Sequence, residues 1–362
     1  MKINVLSVFL TILIWGLCIS AAVSIYALQW VHGERTISWE SGIYIIKPGA
    51  SLHSVAEDLS NKGIIHWPKV WVMYAQIADL NKIKAGEHQL DTLESPASLL
   101  EKFNSNNVVQ YAVTFVEGRG FSDVMIALRA KENIKKTLVA DRVLEQINKA
   151  DIHIAYVEGW FFPDTYHYMA GDTDISILQR AYKKMVAVLS EEWISRAENL
   201  PYDSAYDALI MASIVEKETG AAYERSEIAG VFVRRLERGM RLQTDPTVIY
   251  GMGEGYTGNI TRKDLKTPTP YNTYTNSGLP PTPIAMPGRE AIHAAMHPAQ
   301  GLSLYFVAKG DGTHYFSATI EEHNEAVQKF QKKRVSDYRS SPEPLELKTH
   351  KNEDVEEVSV DD

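Results

Sequence analysis

The stretch from Ile3 to Leu28 constrains this chain more than any other part of it. It carries no charged residue, and only Asn4, Ser7, Thr11, Ser20 and Ser24 break its apolar run. About 20 such residues are enough to cross a bilayer as a helix. A cleaved signal peptide is the rival reading, but its apolar core is shorter, about 7–15 residues. The residues ahead of Cys18, Trp15, Gly16 and Leu17, also lack the small-residue pattern of a lipid-attachment site. The expectation is therefore an uncleaved transmembrane anchor over residues 1–30. Lys2 before the span, with Glu34 and Arg35 after it, biases the N-terminus weakly toward the inner face and sets Trp30 at the interface.

Composition then limits what the rest can do. At 362 residues and 45% hydrophobic content the chain can bury a sizeable core and hold more than one domain. A net charge of −9 without a face dense in Lys and Arg argues against a nucleic-acid partner, since phosphate neutralisation needs clustered cations. Cys18, the single cysteine, lies in the apolar run, so there is no internal disulfide framework and no thiol beyond the membrane segment.

After the anchor, Gly42 to Ile46 has strand character, Lys47-Pro48-Gly49 makes a turn, and Ser51 caps a helix with Leu52, Val55, Ala56 and Leu59 facing inward. Gly63 ends that helix. Pro68 opens a second one carrying Trp71, Tyr74, Ala75 and Ala78, and Ala85 to Leu90 returns as a strand. The order β-α-α-β, with its Pro-Gly-x-Ser-Leu-x-x-Val-Ala stretch, resembles a LysM glycan-binding unit. Val113 to Gly118 followed by Phe121, Val124 and Leu128 repeats the same spacing, either as a partial internal repeat or as an ordinary strand-turn-helix corner.

Glu158 to Tyr168 packs aromatics, two acids and a histidine into one loop-like run. It suits a wall of a carbohydrate cleft, because aromatic faces stack on sugar rings; it equally suits a structural aromatic corner. A long helix over Asp174 to Glu198 should bury Ile177, Leu178, Ala181, Met185 and Leu189.

The chemistry centres on Leu209 to Gly220. As a helix closed by Gly220, this segment lines up Ile210, Met211, Ile214, Val215 and then Glu218 on one stripe. A carboxyl thus stands where the pattern asks for an apolar side chain, in the last turn, where the negative end of the helix dipole disfavours ionisation. Burial and dipole together raise its pKa and keep the proton on. Such an acid is the proton donor a glycosidic oxygen needs. The plain alternative is the polar edge of an amphipathic helix, paired with Lys217 or Arg225. Glu216, about 160° around the helix, is expected to be exposed.

Ser226 to Leu236 follows as an amphipathic helix closed by Gly239, and Leu242 to Tyr250 as a loop leading into an apolar segment. Tyr271 to Tyr274 and Gly278 to Ile284 are too rich in Pro and Gly for helix or central strand and are expected to line a site. Leu304 to Ala308 and His314 to Ser317 form a hairpin. Gln243, Asp245, Asn272 and Tyr274 are candidates to hold N-acetyl groups or stabilise an oxocarbenium-like state, or else to build loops. His293 and His297 have the spacing of a zinc pair, but Ala294 replaces the activating Glu and no third ligand stands nearby in sequence, so no metal is expected. Gly251-Met-Gly253-Glu-Gly255-Tyr256 lacks the third glycine of a dinucleotide loop and is expected to be a flexible loop. The acidic tail from Ser336 has too few apolar residues to pack and is read as disordered.

Taken together, Ala212 to Thr219, Leu242-Gln-Thr-Asp-Pro246, Asn272-Thr-Tyr274, Gly278-Leu-Pro-Pro-x-Pro-Ile284, Met286-Pro-Gly288 and Tyr305-Phe-Val-Ala308 closely resemble the membrane-anchored endolytic murein transglycosylases, the MltG or YceG-like family. The chain departs from the common pattern at Thr282, often Gly, and at Met286, often Asn. The resemblance implies a lytic cut between N-acetylmuramic acid and N-acetylglucosamine inside peptidoglycan strands, leaving a 1,6-anhydro end, with Glu218 as the catalytic acid and no cofactor. It also implies peptidoglycan synthases such as penicillin-binding proteins as partners, a role in ending glycan polymerisation, and an inner-membrane protein with its C-terminal bulk in the periplasm. The expected fold class is α+β: a transmembrane anchor (1–30), a LysM-like module (31–105), a mixed α/β catalytic domain (106–335) and a disordered tail (336–362). Two other readings stand beside it. One is a hydrolytic muramidase using Asp245, Glu158 or Asp164 as base; the other is a non-catalytic glycan-binding scaffold.

Overall fold

The computed structural model describes residues 5–36, 42–150 and 152–332, so the tail expected to be disordered lies outside the described residues. The chain divides into two compact units that interleave in sequence. The first takes Met1–Thr114, Ala127–Ala140 and Thr165–Ile177, and the second Phe115–Ile126, Asp141–Asp164 and Leu178–Asp362.

In the first unit, α1 (Val5–His32) is the one helix among the described residues long and apolar enough to cross a membrane, over Val8–His32. That is compatible with a single-pass anchor. The helix runs past the apolar stretch, and its last turn packs inside the unit. Trp30 is 6% exposed, with its ring 5.2 Å from Trp67, and Val31 is buried beside it, so the end of the helix is packed into the unit.

β1 (Arg35–Thr36) and β2 (Ile43–Ile46) follow, then α2 (Leu52–Asn61) and α3 (Pro68–Ile77), then β3 (Gly86–Gln89), β4 (Leu93–Glu94), α4 (Pro96–Asn104) and β5 (Tyr111–Thr114). β2 pairs antiparallel with β3 in the register Ile43 to Gln89 and Ile46 to Gly86, which completes the β-α-α-β order read from the sequence. The Ser51 hydroxyl accepts from the Ser54 amide and starts α2, whose Leu52, Val55, Ala56 and Leu59 are all buried. Tyr44, Trp71, Leu99, Leu100 and Phe103 fill the core between strands and helices, and the Trp71 indole donates to the Pro96 carbonyl at 2.7 Å. Of the residues expected inside α3, Tyr74 is only half-buried and Ala78 is exposed.

α5 (Phe121–Arg129), α6 (Val143–Lys149) and β6 (Thr165–Tyr168) come next, and β6 pairs antiparallel with β5. The expected aromatic loop is therefore a strand at its far end. Its other rings turn inward, with Phe161 at 0% and Phe162 at 7% exposure, so the sugar-stacking wall is corrected to a structural corner.

The second unit contains most of α7 (Asp174–Ser195), and all of α8 (Ala205–Glu218), α9 (Arg225–Glu237), α10 (Asp245–Met252), α11 (Arg289–Met296), β7 (Tyr305–Ala308), β8 (His314–Ser317) and α12 (Ile320–Val327). α8 is its axis. Every residue from Ala208 to Val215 is buried, packed by α9, α10 and α11, so the single apolar stripe expected for this helix is in fact apolar all round. Met211, Ile214, Phe232 and Ile292 meet in that core. The residues expected to loop from Leu242 onward instead enter α10 at Asp245, with Pro246 in the first turn, where a missing N–H costs nothing; Gly253–Gly255 continue as a turn of 3₁₀ helix. β7 and β8 make the expected antiparallel hairpin.

Candidate active-site cleft

α8 is set from its first turn. The Ser204 hydroxyl accepts from the Asp207 amide while Asp207 accepts from the Ser204 amide, a capping box that satisfies both free donors. The helix ends at Glu218 because Thr219 leaves the helical region, with φ −141° and ψ 137°, and not through the expected glycine cap. The Thr219 hydroxyl accepts from the Ala221 amide at 2.9 Å. Glu218 is thus delivered at a helix C-terminus, where a negative charge meets the unfavourable end of the dipole.

Glu218 opens on a cleft of about 470 Å3 that is also lined by Arg235, Gln243, Thr244, Asp245, Tyr274 and Tyr305. Burial pushes its carboxyl up to about 7; the charge of Asp245 adds to this, while the Thr244 hydroxyl and Arg235 oppose it. Thr244 donates to Oε1 of Glu218. The threonine is itself fixed, because its amide donates to the Thr273 hydroxyl at 3.1 Å and its carbonyl accepts from Thr247 at 2.7 Å.

Arg235 reaches the cleft floor from α9. It donates to the Leu304 carbonyl at 2.7 Å and the Leu242 carbonyl at 2.7 Å, and its guanidinium lies 5.1 Å from the Tyr305 ring centroid. One buried cation therefore ties the β-hairpin to the 241–243 turn and sets the positive charge of the site. Nothing along the chain marks it: Arg235 reads as the polar side of an amphipathic helix. Thr244 and Tyr305 were missed for the same reason, since their partners are remote in the chain.

The expected binding residues divide. Gln243, Asp245 and Tyr274 line the cleft with Glu218, and the Tyr274 hydroxyl donates to Asp245 at 2.6 Å. Gln243 holds a left-handed backbone, φ 54°, that turns the chain between Leu242 and Thr244. Asn272 is not in the cleft. It is 0% exposed, its amide donates to the Thr267, Asp264 and Leu265 carbonyls, and its oxygen accepts from the Tyr274 amide. With every polar atom spent on the loop, it builds the turn that presents Tyr274, which corrects the binding role expected for it.

Glu216 is also corrected. Its side chain is 7% exposed, pairs with Arg225 at 3.5 Å and accepts from the Gly288 amide at 3.0 Å. It fastens α8 to the 286–288 segment. The Gly278 to Ile284 loop likewise packs away from the cleft: the Ile284 amide donates to Ser213 in the core of α8 at 3.0 Å. Gly159, at φ +84°, lies so close beneath this loop that a Cβ there would overlap Pro283 Cγ. The two departures from the family pattern are accommodated, since the Thr282 hydroxyl bonds to Tyr271 and to the Pro283 carbonyl, and Met286 is fully buried.

Of the three carboxylates considered as hydrolytic bases, only Asp245 shares the cleft with Glu218. Glu158 is buried elsewhere, accepting from the Phe121 amide at 3.0 Å and the Tyr250 hydroxyl at 3.2 Å, and Asp164 pairs with Lys184.

Residues 44–329 match the YceG-like family. The chain belongs to that family. This YceG-like chain is 30% identical over 302 residues to an endolytic murein transglycosylase of Bacillus subtilis (strain 168), a match covering 79% of this chain and 83% of that one. It is 26% identical over 316 residues to an endolytic murein transglycosylase of Streptococcus pneumoniae serotype 2, where it spans 57% of the relative's length. Among solved structures it is similar to a yceG-like protein of Listeria monocytogenes, with a TM-score of 0.50 and 29% identity, covering 78% of this chain and 97% of that one.

Proposed function

We propose that this YceG-like chain is an endolytic murein transglycosylase that cuts the bond between N-acetylmuramic acid and N-acetylglucosamine within glycan strands, with Glu218 as its single acid and base. The observation that carries this reading is the Glu218 carboxyl at the end of α8 on the wall of an open cleft, bonded by Thr244 and raised to a pKa of about 7 by burial. Glu218 gives its proton to the glycosidic oxygen as the C1–O bond breaks. The resulting carboxylate then takes the proton of the muramic C6 hydroxyl while that oxygen bonds to C1 and closes the 1,6-anhydro ring. The nucleophile belongs to the sugar, so no water and no second protein carboxylate enter the reaction.

Arg235 and the Thr244 hydroxyl stabilise the carboxylate formed halfway, and Thr244 on Oε1 leaves Oε2 to face the substrate. Asp245 and Tyr274, joined to each other, are the groups we assign to the sugar's amide and hydroxyls, with Gln243 beside them. The β-α-α-β unit within 31–105 is proposed to act as a LysM-like glycan-binding module, and catalysis is assigned to 106–335. We further propose that the bulk of the chain lies in the periplasm, anchored in the inner membrane by α1, where it meets strands emerging from penicillin-binding proteins.

The test is the mass of products from purified glycan strands digested by wild type and by Glu218→Gln. Anhydro ends from wild type and no cleavage by a folded variant support the reading. Reducing ends would transfer it to the hydrolytic mechanism with Asp245 as base. Unchanged cleavage by Glu218→Gln would end it.

A further inference from the structure

A second constellation lies outside the cleft, where α7 and α11 meet. His293 and His297 stand four residues apart at the end of α11, and Glu192 reaches them from the last turn of α7. The Glu192 Oε2 atom is 2.8 Å from His293 Nδ1 and 3.7 Å from His297 Nε2, and the three donor atoms lie within 4.8 Å of one another. Donors around a tetrahedral Zn2+ at about 2.0–2.2 Å stand roughly 3.3–3.6 Å apart, between the two observed separations.

Three features of the surroundings favour an ion. His297 Nε2 is buried and has no hydrogen-bond partner, an unspent lone pair or proton aimed at the cluster. The two imidazoles lie side by side, with centroids 4.2 Å apart and planes at 27°, and each puts one ring nitrogen within 3.7 Å of the same Glu192 oxygen. Arg289 donates to the other oxygen of Glu192, Oε1, at 3.3 Å, which orients the carboxylate and leaves Oε2 as the ligand atom.

We propose that Glu192, His293 and His297 form a divalent transition-metal site, suited to Zn2+, with three protein ligands and a fourth position open to water. The His293 side chain is 56% exposed, so the ion has a route in and the open position faces solvent. Ala294 stands where a water-activating Glu would be, so the site braces structure and does not hydrolyse. Its effect is to clamp α7 to α11, the helix that packs most heavily on α8, whose last residue is Glu218. Sequence spacing alone missed it because the third ligand lies 101 residues from His293.

The full chain, purified in detergent without a histidine tag and stripped with chelator, is titrated with ZnCl2 alone by calorimetry and followed by thermal unfolding. One equivalent of Zn2+ per chain is expected, with a higher melting temperature. His293→Ala and the near-isosteric Glu192→Gln should each weaken binding at least tenfold and abolish the thermal shift, with unchanged circular dichroism in the absence of metal. His53→Ala, an exposed histidine of the first unit, should change neither. Absence of a saturable equivalent, or its survival in the Glu192→Gln, His293→Ala double variant, would overturn the site and leave the cluster as a pair of imidazole–carboxylate contacts. Neither result depends on glycan cleavage, so the proposed activity is tested separately.

Discussion

Replacing Glu218 by Gln should change how stability depends on pH as well as abolish cleavage. In the unfolded chain this carboxyl titrates near 4.5, and in the folded protein at about 7. Below pH 4.5 both states hold the proton and the site costs nothing on that account. As pH rises from 4.5 to about 7 the unfolded state loses its proton while the native state keeps it, so wild-type stability falls through this window and levels off above it. At about 1.4 kcal/mol per pH unit, the gap is worth roughly 3 kcal/mol. The amide introduced by Glu218→Gln does not titrate, so the variant escapes this loss. Relative to wild type it should gain about 3 kcal/mol between pH 4.5 and pH 8. Glu158 is also pushed up to about 7 by burial, but it is present in both proteins and cancels in the difference. Urea and thermal unfolding of the two purified proteins across that range measure the quantity directly. Stability curves that stay parallel within about 0.5 kcal/mol would refute the claim that Glu218 is kept protonated by its surroundings.

Removing the hydroxyl of Thr244 with Thr244→Val takes away a group that holds the Glu218 pKa down, so the alkaline limb of the rate profile should move upward by about one pH unit; a limb that stays put or moves down contradicts the assigned hydrogen bond. Gly159→Ala drives a methyl into Pro283 at a left-handed backbone position and should cost about 2–4 kcal/mol in urea unfolding. Asn272→Ala should lose about 2–3 kcal/mol of stability by leaving buried carbonyls unpaired, while KM for glycan changes little. A raised KM at unchanged stability would return Asn272 to the binding residues.

Much of the local structure is legible in the chain itself. The Ser51 cap, the apolar spacing of Leu52, Val55 and Leu59, Pro68 in a first turn, and the hairpin of β7 and β8 all depend on neighbours within a few residues, and each forms as read. Glu218 is legible too, because a carboxyl on an apolar helical run breaks a local pattern. Burial without pattern is what misleads. α8 is enclosed on all sides, so its inward face cannot be told from its outward one, and Glu216 passes for a surface residue although Arg225 and Gly288 meet it from elsewhere in the chain. The packing of Trp30 is not legible either, because nothing near it in sequence announces Trp67.

The order of residues is therefore enough to give the apolar first helix, the succession of strands and helices, and the one acid whose position is anomalous on its own helix. These follow from periodicity, capping and length, which act within a few turns of chain. Which groups surround that acid is settled only in three dimensions. Arg235 comes from α9, Thr244 and Asp245 from the start of α10 and Tyr274 from a loop about 30 residues further on, and Glu192 joins two histidines, the nearer of them 101 residues away. Desolvation and Coulomb interaction depend on distance through space and on the water excluded, and neither can be read from separation along the chain.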